Sequence, residues 1–180
     1  MTLLALGLIL WIAAHLFKRL APDARAGLGD RGRGIVTLAI LAGVVLMVIG
    51  YRSTEGTFYW GRSPALVGIN NLLMLISVYL FAAAGMKTAI ARRLRHPMLT
   101  GVLLWSTAHL LVNGDTPSFL LFGGLGLWAL VEMVVINRAG PWVPPPAKPA
   151  KFEAMAVAGT LIVYGAIAGV HYALGYPAFG

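Results

Sequence analysis

The chain has 180 residues, of which 59% are hydrophobic and only 11% charged, and its mean hydropathy is +0.81. That composition excludes both an intrinsically disordered chain and an ordinary water-soluble enzyme domain. Fourteen Lys and Arg against six Asp and Glu give a net charge of +8, and with no cysteine present, disulfides, thiolate metal sites and cysteine nucleophiles are excluded as well.

Six apolar runs follow one another, at about 2–17, 34–51, 64–86, 98–113, 117–136 and 154–175. Each is continuous over several helical turns and none alternates with period two, so the pattern predicts helices that cross a bilayer and not a barrel. The expected fold is therefore all-α, a polytopic bundle of six transmembrane helices forming a single domain over 1–180. The first and fourth runs are shorter than the usual length of about 20 residues, so those helices must stand nearly upright or let flanking charges snorkel.

The first loop holds Lys18, Arg19, Arg25, Arg31 and Arg33, the third Lys87, Arg92, Arg93 and Arg95, and the fifth Arg138, Lys148 and Lys151. The odd loops thus carry 12 of the 14 basic residues, which places them in the cytoplasm and both termini outside. This accounts for the +8 without nucleic acid. The first run has no basic segment before it and no small-residue cleavage site, so it reads as a retained anchor.

In the second loop, Tyr51, Phe58, Tyr59 and Trp60 suit the headgroup zone as interfacial anchors. The fifth loop, 139–152, carries Pro141, Pro144, Pro145, Pro146 and Pro149 and reads as an extended tether. Gly165 and Gly169 give the last span a small-xxx-small packing stripe, and with Gly101 they would leave room for a flat cofactor.

Ionisable groups within membrane spans are costly and mark a site or a structural bond. The candidates are His15, His109, His171 and Glu132, with His96 beside Pro97 at a helix start as the weakest ligand. On the fourth helix Trp105, Ser106, His109 and Asn113 share one face. Asn113, Gly114 and Asp115 form the turn beyond it, where Asp115 is placed to cap the next helix before Pro117. Glu132 is either a proton-relay group or a buried hydrogen-bond partner.

The segments Trp11-Ile-Ala-Ala-His15-Leu16 and Trp105-Ser-Thr-Ala-His109-Leu110 share four of six positions on helices of opposite direction, as a three-plus-three inverted repeat would. At 1.5 Å per residue His109 lies about 21 Å beyond Arg95 and His171 about 27 Å beyond Glu153, so these two share a level. His15 and His96 lie near the cytoplasmic face instead. Imidazoles on facing helices are a common way to hold haem iron or another transition metal. Phosphate loops, nucleotide fingerprints, zinc-protease motifs and nucleophile elbows are absent from the sequence.

The run Arg95-His96-Pro97-Met98, Gly101, Leu104-Trp105, Ala108-His109-Leu110, Asn113-Gly114-Asp115 and Leu121-Phe122-Gly123 resembles the core of the NnrU family. His15, Arg25, Gly50-Tyr51, His171, Gly175 and Pro177 extend the resemblance over nearly the whole chain. It implies a bacterial inner-membrane protein linked to denitrification and required for nitrite and nitric oxide reductase function, with those reductase systems as partners beside the lipid bilayer.

NnrU proteins are in turn similar to zeta-carotene isomerase, an integral membrane enzyme that holds haem b through histidines. That likeness implies His15 and His109 as ligands to the haem iron. The isomerase has a cysteine where this chain has Ser106, so thiolate ligand switching cannot operate here. Arg95-His96-Pro97 with Gly101 is also similar to membrane methyltransferases of the isoprenylcysteine carboxyl type, which bind S-adenosylmethionine. Those continue to paired glutamates, where this chain has the single Glu132. The resemblances leave open an isomerase or redox enzyme, a methyltransferase and a non-catalytic assembly or regulatory factor.

Overall fold

A computed structural model describes residues 1–179. The helices are α1 (Thr2–Leu20), α2 (Pro22–Gly27), α3 (Arg31–Arg52), α4 (Pro64–Met86), α5 (Pro97–Val112), α6 (Thr116–Ser118), α7 (Gly124–Ala139) and α8 (Lys151–Ala173). A π-helical turn, Phe119–Gly123, joins α6 to α7, so that Thr116–Ala139 forms one continuous apolar span. Among the described residues five helices are long and apolar enough to cross a membrane, and the protein is an all-α membrane helix bundle. The remaining apolar helix, α5, has 16 residues. At about 1.5 Å per residue it is some 24 Å long, short of the ~30 Å hydrocarbon layer.

Local chemistry sets the boundaries. Pro64, Pro97 and Pro117 each stand in the first turn of a helix, where the missing N–H costs nothing. Ser63 caps α4 by accepting from the Leu66 amide at 3.3 Å, and Lys87 ends it in the left-handed conformation at φ 56°. The first loop contains the short helix α2, which the hydropathy pattern does not mark.

The principal contacts place the apolar helices in the order α3, α1, α7, α5, α4, α8. In a bilayer, apolar surface alone does not drive helices together, so close packing must. The α1–α3 seam shows how: a Cβ on Gly7 would lie 2.6 Å from the Met47 amide nitrogen and 2.7 Å from the Gly43 carbonyl, and one on Gly50 would collide with the Leu4 backbone. Leu4, Leu8, Met47, Leu125, Trp128 and Ala129 form the core where α1, α3 and α7 meet. Gly101 is filled by the Phe81 ring of α4, so it serves the α4–α5 seam. Gly165 and Gly169, expected to form a packing stripe, face open space, because α8 turns other residues to its main neighbour α4.

Phe58–Trp60 (β1) pairs antiparallel with Gly114–Asp115 (β2), tying the second loop to the fourth. The aromatic residues there do more than anchor. Trp60 packs over Gly114 and donates from Nε1 to the Leu110 carbonyl at 3.0 Å, and the Tyr51 hydroxyl shares a 2.8 Å hydrogen bond with Ser118. Phe58 and Tyr59 remain exposed. The halves of the chain share their Trp–His units but not their packing: α5 lies along α4, whereas α1 has no comparable contact with α8.

Candidate functional site

A cavity of about 840 Å³ lies between the spans, lined from α1, α3, α4, α5, α7 and α8. Its walls are mostly apolar, among them Met74, Phe81, Val102, Leu121, Leu125 and Ile167. Polar groups stand at a few points: His109 and Asn113 on α5, His171 on α8, Asn70 and Asn71 on α4, and the cations Arg52 and Arg62. An apolar cleft with few, separated polar groups is the usual form of a site for a lipophilic or amphipathic small molecule.

His109 is held on three sides. Its ring stacks on Phe122 with centroids 4.5 Å apart and planes 24° apart, and it touches Trp105 at 4.8 Å. Its Nδ1 lies 2.9 Å from the Trp105 carbonyl. A carbonyl oxygen can only accept, so in the neutral ring Nδ1 carries the proton and Nε2 keeps its lone pair. His171 repeats this arrangement with the Ile167 carbonyl at 2.8 Å, and His15 with that of Trp11 at 2.8 Å. This is the arrangement that orients a metal-ligating histidine and makes its free nitrogen more basic.

The helix carrying His109 is itself fixed at this level. The Asn70 amide donates to the Ala108 carbonyl at 2.7 Å, and that of Asn113 to the His109 carbonyl at 2.9 Å. Asp115 accepts from the Ser118 amide at 2.8 Å and caps α6, outside the cavity lining.

The other sequence candidates lie elsewhere. His15 does not line the cavity; it packs on Trp11 at 4.2 Å and on Trp128 at 4.8 Å, two indoles that do. His96 is spent on structure, its Nε2 lying 2.8 Å from Asn137 Oδ1, while Arg95 donates to the carbonyls of Ile136 and Gly140. Together these two side chains bind the start of α5 to the end of α7. Glu132 is buried on α7, with Oε1 accepting from Arg19 Nε at 3.3 Å.

Segment 174–179 turns back after α8, aided by Gly175 at φ 83°. Arg62 Nη1 donates to the Pro177 carbonyl at 2.7 Å and Asn71 Nδ2 to that of Ala178 at 3.1 Å, and Tyr176, Pro177 and Ala178 line the cavity. Sequence reasoning assigned no role to Asn70, Asn71 or Trp128, and Phe122, Gly175 and Pro177 entered it only as part of the family resemblance. Two adjacent amides inside an apolar run, and a Trp one turn before the membrane-embedded Glu132, were the available signals.

Among the described residues no three His, Asp or Glu converge as a metal cage. An iron already held in a macrocycle asks the protein for axial donors only.

A family described as NnrU protein matches residues 3–178 of the chain. No curated protein and no solved structure matches it.

Proposed function

Because the chain belongs to the NnrU family, we propose that it supports nitrite and nitric oxide reduction from the bacterial inner membrane, with a b-type haem held in the cavity between His109 and His171. The observation that carries the haem reading is that both imidazoles line one largely apolar cavity with Nδ1 bound to a carbonyl and Nε2 left over. A haem presents an apolar face and edge together with two carboxylates. The 840 Å³ volume, the aromatic wall at Phe122 and Trp105, and the cations Arg52 and Arg62 suit those parts.

When bound, the group supplies one-electron chemistry at iron. The chain's own residues hold and orient it. His109 and His171 would hold it, Phe122 and Trp105 fix the plane of the His109 ring, and Arg52 and Arg62 would receive its carboxylates. The likeness to zeta-carotene isomerase pairs His109 with His15 instead. His15 stands behind the two indoles and outside the cavity lining, which favours His171. The partner in this reading is the nitrite or nitric oxide reductase system, and the basic odd loops face the cytoplasm with both termini periplasmic.

The test is a reduced-minus-oxidised visible spectrum of detergent-purified protein made with haem available, repeated for His109→Ala, His171→Ala and His15→Ala. A b-type spectrum lost in the first two and kept in the third is expected. Loss in His15→Ala with retention in His171→Ala would overturn the pairing. A colourless wild type would overturn haem binding and favour an assembly factor.

A further inference from the structure

The cavity leaves the most deeply set acid of the chain unexplained. Glu132 lies seven residues before the end of α7, about 10 Å into the span, and is only 8% exposed. Its Oε1 meets Arg19 at 3.3 Å, while Oε2 is buried with no hydrogen-bond partner. A guanidinium fork frequently engages both oxygens of a carboxylate. Here one oxygen is held and the other spare.

His15 stands directly above that pair. On α1, His15 and Arg19 are four residues apart; on α7, so are Trp128 and Glu132. Arg19 meets Glu132, and His15 meets Trp128 at 4.8 Å, so the two contacts are successive rungs between helices of the same direction. Four residues of helix offset the two rungs by about 6 Å along the axis, so a bridging water would link the two side chains. With Nδ1 committed to the Trp11 carbonyl, His15 has Nε2 for that purpose.

We propose that Glu132 and His15 are a proton-transfer pair that carries protons from the basic-loop face to His15, behind the Trp11–Trp128 wall of the cavity. This rests on the cavity being the seat of the protein's chemistry. A proton from the aqueous side adds to Glu132 Oε2, giving the neutral acid. That O–H passes its proton through the intervening water to His15 Nε2, which becomes an imidazolium N–H, and the carboxylate re-forms beside Arg19. Arg19 is the cation that meets the carboxylate, Lys18 and Arg138 are exposed, and His96 on the neighbouring α5 is occupied by Asn137. The π turn Phe119–Gly123 carries no titratable group.

The experiment is nitrogen-15 histidine NMR of the protein in lipid nanodiscs, reading how fast each imidazole Nε2 gains and loses its proton. The signals are assigned by replacing each of the four histidines with Gln. In Glu132→Gln the rate at which His15 Nε2 gains and loses its proton falls at least about tenfold, as loss of a positioned acid and base requires, while that of His171 stays as in the wild type. A carboxylate with a purely structural role would leave the rate unchanged, and an unchanged rate overturns the proposal. Should Glu132→Gln fail to fold, Glu132→Asp gives the same decision, with an intermediate fall expected and no fall overturning it. The readout needs nothing bound in the cavity, so a colourless protein would sink the haem reading and leave this pair to be judged separately.

Discussion

His109 and Phe122 lie nearly parallel, 4.5 Å between ring centroids, one on the short helix α5 and the other in the π turn before α7. Neither residue is positioned by its own helix alone. The Trp105 carbonyl sets the hydrogen-bonding side of the imidazole, and the phenyl ring sets its plane. Phe122→Ala removes a side chain that is 6% exposed and leaves a void beside His109. The expected cost is about 3 kcal/mol in resistance to detergent unfolding, with weaker haem retention than the wild type. Phe122→Leu recovers most of the stability and less of the retention, because it fills volume without offering a stacking face.

The Arg19–Glu132 pair is asymmetric, the Arg side chain being 37% exposed and that of Glu 10%. Arg19→Gln strands a buried carboxylate, whereas Glu132→Gln leaves a cation that water can solvate. Unfolding titrations are therefore expected to show Arg19→Gln as the more damaging, by about 2 kcal/mol against less than about 1 for Glu132→Gln, figures reduced for the exposure of the arginine.

Much of this architecture is legible in the sequence. The apolar runs find the spans because a bilayer imposes a length, and prolines mark the starts of α4, α5 and α6 because their missing N–H costs nothing there. Rise per residue alone predicts a common level for His109 and His171, and both line the one cavity. What stays hidden depends on which faces meet. Phe119-Leu-Leu-Phe-Gly123 reads as unbroken helix, although it winds as a π turn. Gly165 and Gly169 resemble a packing stripe as closely as Gly7, Gly43 and Gly50 do, yet only the latter lie against a backbone. His15 and His109 share a motif and a local hydrogen bond and differ legibly in depth, but that Trp128 comes between His15 and the cavity is not legible.

The strap at 174–179 is held by two side chains that also line the cavity, Arg62 and Asn71. The absence of cysteine makes it simple to follow. An Ala178→Cys protein is expected to react slowly with a bulky maleimide, and several-fold faster when Asn71→Ala or Arg62→Gln is added. Equal rates in all three would show that these hydrogen bonds do not retain the strap.

Charge distribution predicts sidedness. Val143, 81% exposed in the Pro-rich loop, and Tyr59, 58% exposed in β1, lie on loops of opposite parity. As single cysteines, the first is expected to react with a membrane-impermeant reagent only in inverted vesicles and the second only in intact spheroplasts.

The π turn at Phe119–Gly123 is a joint between two registers. Phe122 within it is set against His109 of α5, and Trp128 and Glu132 after it are set against His15 and Arg19 of α1. Each residue of helix turns the chain by about 100°, so deleting a single residue here would leave both halves helical and hydrophobic yet misaim one of them. Such a protein would insert and span normally while no longer presenting Phe122 to His109 and Glu132 to Arg19 at once. The length of this span is thus constrained to the residue, by angle and not by bilayer thickness.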